Sequence, residues 1–311
     1  MDILTREFEL DCMEAEHTYK TMQDQILIDL FEAAQDIENG VENEIYDDET
    51  GVDDVADGVK EQKKEANKKA AVIFFEKLMS ALKKFMKAVT KKVSALSKKG
   101  KERLEEIIEK RKEEKEKEKE ISEAAALSVS IYNIERYLQD VFEITDKIIR
   151  YGERVQTDVK FSKVLKVSGK ENYKKLVDNY RERMEKYIVK MQYETRSPEP
   201  NKYIKEMPFS QAFQIMYKTC SNEVIDRKTL DAYNKISVGM HKIQSHLIVL
   251  DGYSTEDIIL REAYQRILRH LTKTFNKAME NVVTMYQQSL SAIDDSASKI
   301  DIAKEQIKLR L

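Results

Sequence analysis

The scarcity of glycine and proline is the feature that most restricts how this chain folds. Only 8 glycines and 3 prolines occur in 311 residues, and neither type occurs between Lys60 and Lys99. Because glycine and proline end helices and form tight turns, their absence favours long uninterrupted helices. All three prolines fall between residues 198 and 208, which predicts a single hinge in the second half of the chain.

Apolar residues recur at the three- and four-residue steps of an amphipathic helix in several segments. Residues 60–99, 173–191 and 260–285 each carry such a stripe. Charged residues make up 36% of the chain and apolar residues 41%, a balance typical of helical bundles and coiled coils. We therefore predict an all-α fold, an elongated helical bundle or a set of long helical hairpins that includes a long charged helix.

Charge is distributed in blocks, although the net charge is only −3. Residues 1–59 contain 19 acidic and 2 basic residues, whereas residues 60–101 contain 14 lysines and 3 acidic residues. With the proline hinge, these blocks predict four segments. They are an acidic N-terminal helix and linker (1–59), a basic amphipathic helix (60–100), a long charged and heptad helix with a tyrosine-striped helix (101–197), and a C-terminal helical bundle (198–311).

Helix ends are predicted at three places inside these segments. Gly100 and the residues just before it, Gly152, and the stretch Asp294–Ser296 each combine residues that are common where helices end. Gly100 and Gly152 each separate two stretches of different periodicity. Asp294–Ser296 separates an apolar stripe from a polar tail. We therefore expect a helix to end or break at or near each of them.

The predicted basic helix has two faces of opposite character. Its apolar face, assigned to a membrane or a partner, consists of Phe74, Phe75, Leu78, Leu82, Phe85 and Val89. Its basic face consists of Lys77, Lys83, Lys84, Lys87, Lys91 and Lys92. Three interpretations stay open: the apolar face packs inside the protein, the helix lies in a membrane interface, or the lysines bind a nucleic-acid backbone. Nucleic acid is the weakest of the three, because no arginine occurs between Glu65 and Lys101.

The acidic residues before the basic helix suggest that the exposure of this helix is controlled. Residues 36–57 carry ten acidic side chains and no basic one. We expect residues 68–99 to form a conditionally exposed amphipathic helix, with residues 36–57 as its electrostatic cover. Physiological salt screens charges beyond about 8 Å, so this cover works only at close range.

A heptad pattern predicts a second interaction surface. Apolar residues at alternating steps of four and three form an oligomer seam: Leu127, Ile131, Ile134, Leu138 and Val141. If the helix is unbroken from Lys101, it covers about 50 residues, or about 75 Å. The seam fits a helix of the same chain and a helix of another chain equally well, and we expect self-association.

No catalytic, metal-binding or cofactor-binding residue is predicted. His241 and His246 are five residues apart and so lie on different faces of a helix, and Cys12 and Cys220 are isolated. The acidic N-terminus does not resemble a signal peptide, and no run of about 18 apolar residues occurs. We therefore expect a soluble, non-enzymatic protein in the cytoplasm or in a virion.

The acidic head followed by KKAAVIFFEKLMSALKKFMKAV resembles virion-associated proteins of tailed bacteriophages. Such proteins are often rich in lysine and glutamate, all-helical and free of enzyme motifs. The resemblance implies a structural virion or accessory component. Its partners would be other protein chains, either copies of itself or partner helices, and an anionic membrane surface. The alternatives are a cytoplasmic helical scaffold or adaptor protein and a lysine-mediated nucleic-acid binder.

Overall fold

The computed structural model describes residues 56–114, 128–161, 173–250 and 255–308. The α-helices there are α1 (Ala56–Glu114), α2 (Ile134–Asp158), α3 (Tyr173–Glu194), α4 (Phe209–Ser221), α5 (Val224–Ile248) and α6 (Thr255–Lys308). A short 3-10 helix, Pro200–Tyr203, leads into strand β2 (Ile204–Pro208), whose partner is strand β1 (Ser128–Tyr132). Helices make up 89% of the described residues, which confirms the predicted all-α class.

The small sheet corrects the prediction of one unbroken heptad helix of about 50 residues that begins at Lys101. Strands β1 and β2 pair antiparallel, with Ser128 opposite Pro208 and Ile131 opposite Lys205. The segment SVSIY alternates between exposed serines and buried Val129 and Ile131, which is the two-residue period of a strand. Only from Ile134 onward do the seam residues lie on a helix, and Leu127 lies outside the described residues.

An N-terminal cap separates β1 from α2. The side-chain oxygen of Asn133 accepts a hydrogen bond of 3.1 Å from the backbone N–H of Arg136. This is the usual geometry of an asparagine cap, in which the side chain satisfies an N–H group of the first helical turn. The cap explains why the helix begins after residue 133 and not at Lys101.

Two glycines that were predicted to end helices lie inside them. At Gly100 in α1, an added Cβ would lie 2.9 Å from the Cys220 sulfur and 2.9 Å from the Leu290 side chain. At Gly152 in α2, it would lie 2.8 Å from the Ile243 side chain. Both glycines therefore allow close approach of neighbouring helices and do not mark helix ends. The predicted break at 294–296 is also wrong, because α6 continues to Lys308.

The chain forms two compact units, each assembled from segments that are distant in sequence. Unit 1 contains the described residues of Met1–Lys87, Ile144–Arg196 and Lys235–Thr274. Unit 2 contains those of Ala88–Glu143, Ser197–Asn234 and Phe275–Leu311. The dividing points lie inside α1, α2, α5 and α6, whereas the segments predicted from charge and prolines are consecutive.

Aromatic contacts join the helices of unit 1. The ring of Phe75 on α1 lies 5.1 Å from the ring of His241 on α5. The hydroxyl of Tyr187 on α3 donates a hydrogen bond of 2.8 Å to the backbone carbonyl of Tyr151 on α2. Tyr180, one heptad before Tyr187, is fully buried. The seven-residue tyrosine spacing therefore lies along a packed side of α3, although the side chain of Tyr173 lies outside the described residues.

Polar contacts join the elements of unit 2. Arg103 of α1 donates to Asp294 of α6 over 2.7 Å. The hydroxyl of Tyr203, at the end of the 3-10 helix, donates to Asp140 of α2 over 2.6 Å. The backbone N–H of Tyr132 in β1 donates to the Ser289 hydroxyl of α6 over 3.0 Å. These bonds attach the proline-containing connection and the sheet to the helices of this unit.

Candidate interaction site on helix α1

Five exposed lysines follow one side of α1, and we call them the lysine row: Lys83, Lys84, Lys87, Lys91 and Lys98. At 3.6 residues per turn, these positions fall within an arc of about 100° around the helix axis. At a rise of about 1.5 Å per residue, the row is about 22 Å long. Between its ends, Ser94 is the one residue within this arc that is not a lysine. The row is therefore a narrow strip of positive charge.

The lysine row overlaps the basic face predicted from the sequence but is not identical to it. Lys77 is exposed and lies just outside the arc, while Lys92 is half-buried and points about 80° away from the edge of the arc. The prediction missed Lys98, although its seven-residue distance from Lys91 places it on the same side of the helix. The exposed face is thus narrower and longer than the predicted one.

The opposite face of α1 is packed inside the protein. Each of the six residues predicted to face a membrane or a partner is at most 2% exposed: Phe74, Phe75, Leu78, Leu82, Phe85 and Val89. Burying one such side chain fully is worth about 1.5–3 kcal/mol, so together they contribute strongly to folding. Their position matches the first of the three interpretations, in which the apolar face packs and the lysines face water.

The lysine row has few acidic neighbours. Glu76 is the one acidic residue between Glu65 and Glu102. Within the described residues, no ion pair joins an acid to a lysine of the row. Lys83, Lys87 and Lys91 follow one another at four-residue steps, and each such pair of like charges destabilises a helix by about 0.2–0.5 kcal/mol. The helix therefore carries an unfavourable concentration of charge that an anionic partner would relieve.

One exposed apolar residue lies on the same side as the lysine row. Ile73 is 50% exposed, and its position on the helix falls inside the arc of the row. A single exposed isoleucine is common on protein surfaces. Ile73 lies ten residues before Lys83, and the exposed Glu76, which falls in the same arc, lies between the two.

The residues of the predicted oligomer seam are already covered within one chain. Ile134, Leu138 and Val141 on α2 are at most 4% exposed, and Ile131 on β1 is 2% exposed. Their apolar surface is thus removed from water without a second copy. Self-association through these side chains would require their present packing to open.

One buried cluster contains groups that carry chemistry in enzymes. The Tyr286 hydroxyl lies 3.2 Å from the Cys220 sulfur and 3.1 Å from the Ser97 hydroxyl. Ser97 in turn donates a hydrogen bond of 2.6 Å to the Asp226 carboxylate. Burial raises the pKa of the Cys220 thiol, which keeps the sulfur protonated at neutral pH. Because the thiolate is the reactive form, this cysteine is not activated as a nucleophile.

The histidines of α5 take part in ring contacts. His246 stacks on Tyr264 with 6.1 Å between ring centres, and His241 packs against Phe75. In the described ranges, no group of three or more His, Cys, Asp or Glu side chains is arranged to hold a metal ion. Cys12 and His17 lie outside those ranges.

Comparisons with known proteins give no family for this chain. No protein-family model matches it, and neither the curated proteins nor the solved structures contain a match. Among the described helices, none combines the length and the apolar character needed to cross a membrane.

Proposed function

We propose that this protein is a non-enzymatic interaction protein that binds an anionic membrane surface through the lysine row of α1. The observation that carries the proposal is the set of five exposed lysines within an arc of about 100°, with no acidic residue among them. A lysine held near anionic lipid contributes about 1 kcal/mol. Five of them would contribute about 5 kcal/mol, before the loss of motion on binding is subtracted.

A lipid surface fits the row better than a nucleic acid does. The five side chains leave the same side of one helix, so they can face a flat surface together. Neither arginine nor an aromatic residue occurs within the row, and these are the groups that read or stack on bases. Ile73 on the same side would reach the headgroup region, with the exposed Glu76 between it and the row.

The folded protein would first bind a membrane through the charges of the lysine row. The hypothesis of a conditionally exposed helix requires Phe75, Leu82 and their neighbours to leave the interior, where they are at most 2% exposed. Because unpacking them costs several times the binding energy of one lysine, we propose that exposure of the apolar face is a separate, later step.

We further propose a biological setting from the resemblance to phage virion-associated proteins. In that setting the protein is a virion or accessory component, and its partners are other helical chains and a bacterial membrane. The alternative setting is a cytoplasmic helical scaffold or adaptor. Proteomics of purified particles distinguishes them, because a scaffold would be abundant in cell lysate and absent from particles.

Vesicle flotation tests the membrane proposal directly. The test variant replaces the five lysines of the row with glutamine: Lys83→Gln, Lys84→Gln, Lys87→Gln, Lys91→Gln and Lys98→Gln. The matched control removes five exposed lysines from other elements: Lys174→Gln, Lys175→Gln, Lys205→Gln, Lys218→Gln and Lys299→Gln. We expect the wild type and the control to float with phosphatidylserine-rich vesicles, and the test variant to stay at the bottom.

The comparison of ligands decides between the classes of partner. None of the proteins should float with pure phosphatidylcholine vesicles, since these carry no net charge. Equal loss of binding in the test and control variants would show that net charge matters and the row does not. Binding to duplex DNA at a salt concentration that abolishes vesicle binding would assign the row to a nucleic acid instead.

A further inference from the structure

We infer that the acidic residues 36–55 of the same chain occupy the lysine row when no membrane is bound. The inference rests on the proposed function, because it assigns an intramolecular competitor to the same lysines. Residues 36–55 lie outside the described residues and end where α1 begins, at Ala56. The segment is therefore attached directly to the helix that carries the row.

The charges of the two segments are complementary. Residues 36–55 contain nine acidic residues and no lysine or arginine. The five lysines of the row have no ion pair with an acid of the described residues. Attraction between exposed charges is screened beyond about 8 Å, so the two segments must be in contact for the attraction to matter.

The length of the acidic segment determines which of its residues reach the row. Along α1, Lys83 lies about 40 Å and Lys98 about 63 Å from Ala56, at 1.5 Å per residue. An extended chain covers about 3.3 Å per residue, so Glu44 reaches at most about 40 Å and Asp36 about 66 Å from Ala56. The acids that span the row are Asp36, Glu38, Glu42 and Glu44.

The acids closest to α1 do not reach the row. Asp53 and Asp54, three and two residues before Ala56, reach about 10 Å and stop well short of Lys83. Contact with the row thus requires the segment to run back along the helix in a nearly extended form. This gives the inference a residue-specific signature that a general attraction between opposite charges lacks.

Occupation of the row in this way would weaken membrane binding. A vesicle must displace four exposed ion pairs before its headgroups reach the lysines. Exposed pairs of ordinary strength together correspond to about a tenfold change in affinity. The full-length protein would therefore bind anionic vesicles measurably, but about ten times more weakly than a protein whose row is uncovered.

Carbodiimide cross-linking tests the contact without any membrane. This reagent joins carboxylates to amines that already touch. Mass spectrometry should find the four acids joined to lysines of the row, with Asp53 and Asp54 joined to none of them. Lys174 and Lys175 on α3, also exposed, serve as internal controls. Absence of every link to the row would overturn the inference.

Isotope mixing shows whether the contact is within one chain. Equal amounts of unlabelled and nitrogen-15-labelled protein are mixed before cross-linking. Links within one chain join two unlabelled or two labelled peptides. Links that join one labelled and one unlabelled peptide would assign the acidic segment to a second copy, which would also overturn the inference.

Neutral variants of the full chain test the effect on binding. The test variant carries Asp36→Asn, Glu38→Gln, Glu42→Gln and Glu44→Gln. The matched control removes four exposed acids from α3, α5 and α6: Asp178→Asn, Asp231→Asn, Glu262→Gln and Asp295→Asn. We expect about tenfold tighter binding of the test variant than of the control to phosphatidylserine-rich vesicles. Equal affinity of the two variants would overturn the inference.

The two experiments separate failure of this inference from failure of the proposed function. Vesicle binding through the row without cross-links would leave the membrane function intact and remove the intramolecular competitor. Cross-links in a protein that binds no vesicle, in either variant, would leave the contact intact and remove the membrane function.

Discussion

The bulkiest fully buried side chains of the described residues are four tyrosines, two in each unit. The two units differ in whether the hydroxyl groups of these tyrosines have polar partners. In unit 2, the Tyr286 hydroxyl contacts Ser97 and Cys220, and the Tyr137 hydroxyl accepts a hydrogen bond of 2.8 Å from Asn281. Each of these hydroxyls therefore has a polar partner that replaces part of the interaction with water that it loses on burial.

In unit 1, the hydroxyls of Tyr180 and Tyr264 are buried and form no hydrogen bond with the described residues. A buried polar group without a partner costs about 1–3 kcal/mol. The same residue type thus stabilises unit 2 through volume and hydrogen bonds, but stabilises unit 1 through volume alone. Burial of a residue therefore does not by itself reveal whether its polar atom helps or opposes folding.

Removing the Tyr286 hydroxyl should have the largest effect. Tyr286→Phe keeps the ring but leaves Cys220 without its hydroxyl partner and takes one contact from Ser97. We expect a loss of about 1–3 kcal/mol in the free energy of unfolding. Urea titration followed by circular dichroism measures it. An unchanged midpoint of unfolding would mean that these contacts do not stabilise unit 2, and the proposed difference between the two units would be wrong.

The matched change in unit 1 should have the opposite sign. Tyr264→Phe removes a buried hydroxyl that has no partner, so we expect the stability to stay the same or to rise by up to about 1 kcal/mol. The same titration serves as the measurement. A loss as large as that of Tyr286→Phe would indicate an ordered water molecule on the Tyr264 hydroxyl and would remove the contrast.

Acidification should weaken unit 1. Burial lowers the pKa of His270 below its usual 6.5, although the contact with Thr195 opposes this shift. The folded state therefore favours the neutral ring, and its stability is present above pH 6.5 and lost as the pH falls through this range. Hydrogen exchange, corrected for intrinsic rates, should show faster exchange around residue 270 at about pH 5.5 than at about pH 7. His270→Gln should remove this difference.

Unit 2 should respond to pH in the opposite direction, and more weakly. Burial raises the pKa of Asp226 above its usual 3.8, partly offset by the hydrogen bond from Ser97. The folded state binds this proton more tightly than the unfolded state, so the contribution is present below pH 3.8 and lost as the pH rises through the folded value. Asp226→Asn should thus raise the melting temperature at about pH 7. The rise should shrink as the pH approaches 3.8.

Long helices were predictable because their signals are local. The three- and four-residue steps of α1 and α3, and the prolines before β2, lie close together in sequence and depend on no distant residue. Strand β1 was missed because the steps from Ile131 to Ile134 and on to Leu138 also fit a heptad. Only the alternation of two serines with Val129 and Ile131 indicates a strand there.

Features that depend on distant residues were not predictable. The role of Gly100 is set by Cys220, and that of Gly152 by Ile243, each about a hundred residues away in the chain. The bond between Ser97 and Asp226 likewise joins residues 129 positions apart. For the candidate site, the side of α1 that carries the lysines could be predicted from their spacing. Burial of the face opposite them could not, because it depends on α5 and α6.

Helix α6 imposes an order on events during protein synthesis. It is translated after every other described element, yet its side chains fill the interiors of both units, from Leu260 to Ile300. A ribosome adds about 5–20 residues per second, so the 54 residues of α6 emerge over about 3–11 s. Until then, neither unit has a complete interior. The apolar face of α1 thus becomes available to molecular chaperones before it meets the helix that covers it.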